Sequence, residues 1–425
     1  MPWSSGYPAA PLLATGPPSI VPVGPIVPGF LVLDELGLLL GTVVVVLTIL
    51  LVLSSPASRR VGRYAALSFF FLLAAFGTLS AANVVGFYVG WELTALFAWG
   101  LSRLADDSPL EGAAPFNAAG ALASLLMFAG LLFLAVESQT TALMALKVAE
   151  GGLVGVIVLV AILLKSFGLL SEGWRRSSSV HFPLASATVA GASLLVVGFY
   201  PALRLFGPTS ARSPEWQEPG ALLAGVLALL AALAALRQRD ILRVLSYGAF
   251  SQFSAFVLAL SAGHQKATLG VLYGLVTYSL AVTGLLLCAC QVEAATGQRD
   301  IERLGGVAQR LPATSILFAL CVVAMAGLPP FGGFVSFGLI GLALWQQPEP
   351  AYAAVWVAFS FLTVLYLARL FGRVFLGELR LPVRAERSWT VLGAVAILVL
   401  GLGLAGVAPD QVMALVGPAL ALLTA

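Results

Sequence analysis

A dozen apolar runs of spanning length, parted by short charged or Pro/Gly-rich breaks, leave this chain one economical fold: a bundle of helices crossing a bilayer. A span needs about 20 predominantly apolar residues to cross about 30 Å of hydrocarbon. In lipid the helix is favoured for such runs because it satisfies its own backbone. The runs place spans at Phe30 to Leu53, Arg63 to Ala82, Val84 to Leu104, Phe116 to Val136, Gly152 to Leu170 and Pro183 to Leu205. They continue at Gly220 to Leu236, Leu242 to Ala262, Thr268 to Val292, Ala313 to Trp345, Tyr352 to Leu376 and Ser388 to Val407. Barrel-type alternation is not seen, so the expected class is an all-α polytopic membrane protein. Composition agrees: 10% of residues are charged, where a soluble domain carries about a quarter.

Loop charges orient the bundle. Cytoplasmic loops collect Lys and Arg, and seventeen of the 22 basic residues fall on one side of this map, from Arg59, Arg60 and Arg63 through Arg380, Arg384 and Arg387. The other side receives four: Lys147, Arg204, Arg212 and Lys266. An even number of spans then puts both termini outside the cytoplasm, in a cell inner membrane. Residues 1–29 are rich in Pro, Gly and Ser without the basic and apolar regions of a signal peptide, and read as a retained, extended leader. The apolar tail from Pro409 to Ala425 is short and reads as lying along the membrane surface.

The net charge of +3 comes without a basic run of the nucleic-acid type, which excludes DNA and RNA as partners. Cys288, Cys290 and Cys321 all sit in apolar runs without CxxC spacing or nearby histidines, so neither a disulfide framework nor a metal site is expected. Haem, flavin, nucleotide and iron-sulfur signatures are lacking, and no cofactor is expected.

Two charges lie inside spans: Glu92, with Tyr88, Ala95, Leu96 and Trp99 on its helical face, and Lys165. A charge at mid-bilayer costs about 2.5 to 3.5 kcal/mol on insertion scales, so it persists mainly where it faces protein or a wet pathway. A Glu and a Lys on facing helices can exchange between ionised and neutral states, which suits proton relay. The structural alternative is an ion pair that only fixes packing. Ser166 and Gly168 make a helix break after Lys165 plausible, and the tenth span is interrupted by Gly327, Pro329, Pro330, Gly332 and Gly333. Unwound backbone is tolerated at membrane depth only where it is buried or lines a cavity. His181, just before a span, reads either as a proton shuttle or as a hydrogen-bonded loop histidine. Tyr247, Ser246, Ser251, Gln252, Thr277, Tyr278 and Ser279 supply polar groups for an auxiliary water path, or for interhelical glue.

On these residues the chain resembles the antiporter-like membrane subunits of proton-pumping NADH:quinone oxidoreductase (complex I), which are related to membrane-bound hydrogenase and Mrp antiporter subunits. FYVGWELTALFAW resembles the family's Glu-bearing helix, FNAAGALASLLMFAG the next, and AILLKSFGLLSEGW its Lys-bearing broken helix. The later motifs FPLASATVAGASLLVVGFYPALRLF, LRQRDILRVLSYGAFSQF, RDIERLGGVAQRLP and MAGLPPFGGF follow in the family's order. LVTYSLAVTGLLL is most similar to subunit N. The resemblance implies two inverted five-helix repeats, each with a broken helix, at residues 63–205 and 220–376, with a helix from residue 30 before them and a last helix and tail at 388–425. It implies antiporter-like neighbours in one membrane complex, proton translocation through Glu92 and Lys165, and no redox centre in this chain.

The departures are informative. The family's first two helices have no counterpart, the central lysine position reads Val196, an alternative histidine position reads Ala190, and the terminal Lys or Glu position reads Phe337 followed by Gly338. Positions that are His or Lys in other members read Tyr273, Thr277 and Ala281. The second half is therefore expected to be degenerate. A non-conducting scaffold subunit and an Mrp-like cation/proton antiporter subunit are the alternatives.

Overall fold

A computed structural model describes residues 25–27, 30–54, 61–103, 118–146, 152–175, 188–207, 214–384 and 388–424. Strands β1 (Pro25–Val27) and β2 (Leu31–Val32) form one small antiparallel pair, and the remaining elements are helices joined by irregular segments. In chain order the helices are α1 (Glu35–Leu53), α2 (Val61–Leu79), α3 (Val84–Arg103), α4 (Ala118–Glu137), α5 (Leu153–Arg175) and α6 (residues 188–206). There follow α7 (Pro214–Arg237), α8 (Ile241–Ser261), α9 (Gln265–Thr296), α10 (Pro312–Met325), α11 (Gly332–Trp345), α12 (Pro350–Phe375), α13 (Trp389–Val407) and α14 (Pro409–Thr424). Among the described residues ten helices are long and apolar enough to cross a membrane, and four shorter apolar ones accompany them. The chain is an all-α, multi-pass membrane protein.

Burial sorts the helices. Nearly every residue of α8 and α9 is enclosed, whereas α2, α4 and α12 show apolar side chains such as Phe69, Leu125 and Phe361 outward, as lipid-facing helices must. The core is thus the α8/α9 pair. α5 and α6 pack on it from the N-terminal half, and α7, α10, α11 and α12 from the C-terminal half. The tail helix α14 packs on α9 and α1 through Val416, Ala419 and Leu423. Helix α9 runs 32 residues to Gly297, whose φ of +67° ends it.

The interruption of the tenth span is present between α10 and α11. Gly327 turns there at φ +69° with the Phe337 ring against it, and a Cβ on Gly332 would meet Thr277 of α9 and Ala405 of α13. The flanks of the irregular backbone, at Gly327 and at Phe331 to Gly333, are therefore buried in protein, while Leu328, Pro329 and Pro330 between them are exposed.

The break expected at Ser166–Gly168 is not found. α5 is continuous from Leu153 to Arg175: no proline removes a backbone donor, and the back-bond of Ser166 Oγ to Ile162 O (2.7 Å) does not interrupt it. The irregularity in this half lies in α6, which is π-helical over Thr188–Ser193 and Leu195–Phe199 before reverting to α-helix at Tyr200.

The basic end is knitted together by side chains. Arg369 donates to Gln238 O (2.9 Å) and Glu302 Oε1 (3.1 Å), and Arg373 pairs with Glu302 Oε2 (2.9 Å). Backbone bonds from Ile241 N to Arg299 O and from Ile301 N to Arg239 O tie the α7–α8 turn to the segment after α9. At the opposite end Arg204 departs from the expected loop position: it is buried, paired with Asp34 and further bonded to Tyr200 Oη (3.1 Å). The apolar sequence around it hid this, because Asp34 lies 170 residues away.

Candidate functional site

Glu92 lies eight residues inside α3 and Lys165 twelve inside α5, about 12 and 18 Å along helices that both start from the end where Arg204 lies. Both are near the middle of their helices, which run 20 and 23 residues. Small residues on α4 let α3, α4 and α5 close on one another, and the three helices converge on one ammonium. Lys165 Nζ donates to Glu92 Oε2 (2.8 Å), Glu92 Oε1 (3.0 Å) and Ser124 Oγ (2.7 Å). The Trp91 ring closes a further side, with its centroid 4.9 Å from Nζ.

The environment is asymmetric. The Lys165 side chain is 1% exposed and that of Glu92 25%. Ser124 commits its own proton to Gly120 O (2.9 Å), so the ammonium meets its lone pair. Trp91 is held in turn by donating Nε1–H to Val197 O (2.8 Å), a carbonyl of the π-helical stretch in α6. An ammonium in such a site has acceptors in place of the water it lost, and removing any one leaves a costly unsatisfied donor. Amine and carboxylate at this separation can pass a proton between them. Around the open side of Glu92 the surface is apolar: Val89, Leu93, Leu96, Leu125 and Phe128 are exposed.

Comparison with known proteins decides the family. A model described as the NADH:quinone oxidoreductase/Mrp antiporter transmembrane family matches residues 81–365, two thirds of the chain and all of the site. The chain belongs to that family. NADH-quinone oxidoreductase subunit N of Cereibacter sphaeroides is 30% identical over 347 residues, covering 78% of this chain and 74% of that protein. A Na(+)/H(+) antiporter subunit of Alkalihalophilus pseudofirmus is 26% identical over 351 residues, covering 80% and 71%. A chain of the solved respiratory complex I from Thermus thermophilus with bound NADH superposes with a TM-score of 0.77 at 24% identity, over 97% of this chain and 92% of that one.

The other residues singled out in the sequence of this family member do not join the pair. Ser246, Thr277 and Ser279 donate to carbonyls of their own helices, Ser251 to Ala228 O (2.7 Å) and Tyr278 to Ala249 O (3.4 Å). Tyr247 packs its ring 6.2 Å from that of Phe167. His181 lies outside the described residues. Val196 is fully buried among apolar neighbours, and Phe337 packs against Trp356 (5.2 Å) and Phe359 (6.0 Å). Tyr273 donates to Ala405 O.

Between the pair and the C-terminal half stand aromatic rings. Phe199 meets Phe253 at 4.6 Å, Phe256 at 5.8 Å and Tyr278 at 5.9 Å, while Phe167 meets Phe250 at 5.2 Å. Ser124 and Trp91 escaped sequence reasoning because neither is out of place in an apolar helix. Only the fold reveals that they converge with Glu92 and Lys165. Arg204 was visible as a charge, but its counter-charge was not.

Proposed function

We propose that this chain is a membrane-arm subunit of a complex I-like, proton-translocating NADH:quinone oxidoreductase, in which Glu92 and Lys165 relay protons and the C-terminal half-channel is degenerate. One observation carries this reading: a buried ammonium held by a carboxylate that is itself open toward an apolar lateral face. A pair used only for packing gains nothing from that opening. An opening toward a neighbouring subunit lets a charge there bias which partner holds the proton. The relatives in subunit N and in a Na(+)/H(+) antiporter support the same reading.

On this reading the residues 63–205 and 220–376 act as two five-helix units, the arginine-rich face is cytoplasmic in a bacterial-type inner membrane, and both termini lie on the other side. The partners are antiporter-like membrane subunits of one complex. Electrons pass through other subunits, and this chain supplies proton movement alone.

The test is proton flux in proteoliposomes holding the whole host complex. Lys165→Ala and Glu92→Gln are expected to depress pumping relative to electron transfer by at least roughly a hundredfold, the low edge of what a positioned proton-transfer group contributes. Unchanged pumping with intact assembly would leave the scaffold reading, which the aromatic packing of Phe337 favours.

A further inference from the structure

The C-terminal half contains a line of polar groups that the proton-relay reading does not use. Arg373, Arg369, Tyr366 and Thr363 recur at spacings of four, three and three along α12, which puts them on one face. The line starts at the basic rim, where Glu302 receives both arginines, and it runs inward as exposure falls. The Arg369 side chain is 26% exposed, whereas Tyr366 and Thr363 are buried.

Helix α8 runs antiparallel to α12, since it starts at the rim where α12 ends. Gly248 is where the two approach: a Cβ there would lie 2.8 Å from Tyr366 Oη. Gln252 follows one turn deeper on α8, as Thr363 does on α12, so the two stand at one level. Three atoms here are buried without a hydrogen bond: Gln252 Oε1, Thr363 Oγ1 and Tyr366 Oη. Buried polar groups in native proteins are satisfied by protein or by water, and an orphan costs about 1–3 kcal/mol. The Thr363 and Tyr366 hydroxyls are near enough to interact, but neither oxygen is in a completed hydrogen bond, so a water beside them would find partners in both.

We propose that Arg369, Tyr366, Thr363 and Gln252 line a file of ordered water entering from the arginine-rich face between α8 and α12. A cation fits less well. It would satisfy lone pairs yet leave the protons of two hydroxyls without an acceptor, whereas water both gives and takes. The file is blind. One turn beyond Thr363 stands Phe359, packed against Trp356 (5.4 Å) and Phe337 (6.0 Å). The file thus opens to one face only, and the inference holds whether or not the chain moves protons.

Radiolytic hydroxyl-radical labelling of the full chain in lipid nanodiscs tests it, because radicals made from bound water mark adjacent side chains. Tyr273 is the internal control, being equally buried with its phenol engaged by Ala405 O. Tyr366 is expected to label several-fold faster than Tyr273, and equal slow rates would overturn the proposal. In a Gln252→Leu/Thr363→Val variant the Tyr366 rate is expected to fall to that of Tyr273; an unchanged fast rate would show the water to lie elsewhere. Should that variant fail to fold, the comparison within the native chain decides alone.

Discussion

Two positions inside the helical bundle of this molecule reach opposite solutions. On α3 and α5 a carboxylate and an ammonium are retained, and the ammonium is wrapped by Ser124 and the Trp91 ring. On α11 the position of Phe337 is filled by a phenyl ring wedged between Trp356 and Phe359. The difference lies in the cradle. A charge at mid-bilayer is tolerable only with acceptors already fixed around it, and those fixed groups are what the Phe337 site lacks. The charged position and the apolar one therefore differ in the neighbours around them as well as in the side chain itself.

The comparison can be broken most directly by unbalancing the N-terminal pair. Glu92→Ala leaves the Lys165 ammonium without its counter-charge and is expected to destabilise the chain by about 3 to 5 kcal/mol, read as loss of the folded fraction in a micellar unfolding titration. A Glu92→Leu/Lys165→Leu double variant should lose much less; equal losses would mean the pair's charges do not interact. Phe337→Lys asks whether the other half can take a charge, and about 2.5 to 3.5 kcal/mol of destabilisation is expected from the insertion cost alone. A well-folded, fully stable Phe337→Lys chain would refute the cradle argument. Ser124→Ala is expected to cost about 1.5 to 3 kcal/mol, the scale of a hydrogen bond to a charged group, and Ser124→Thr should restore it in the same titration. Gly248→Ala sets a methyl against the Tyr366 phenol, with an expected cost of about 1 to 3 kcal/mol. Ser246→Ala removes only a bond to its own helix and should shift stability by less than about 0.5 kcal/mol.

Much of this architecture was legible because lipid imposes a simple rule on length and polarity. The spans read from apolar runs lie close to the helices observed, as α3 at Val84–Arg103 and α8 at Ile241–Ser261 illustrate. The Gly/Pro interruption before Gly332 was legible for the same reason, since proline removes donors wherever it stands. Ser166 and Gly168 misled, because with no proline to remove a donor the backbone ladder runs through them, Ser166 merely bonding back to Ile162 O. Arg204 misled differently: charge alone placed it in a loop, and only the long-range approach of Asp34 makes its burial tolerable. Ser124, Trp91, Thr363 and Tyr366 could not be ranked above dozens of similar residues, because their importance arises from what distant helices bring beside them.

Helix α9 carries one more consequence. Its 32 residues measure about 48 Å, against about 30 Å of hydrocarbon. Even at the tilt of about 20° usual for such helices, several turns must stand clear of the oil. The overhang at the basic rim bears Glu293 bonded to Arg299, and backbone bonds moor the neighbouring α7–α8 turn to the strap that follows it. The end of α9 is thus a braced edge of the protein, fixed by its neighbours beyond the oil rather than left to fray in water.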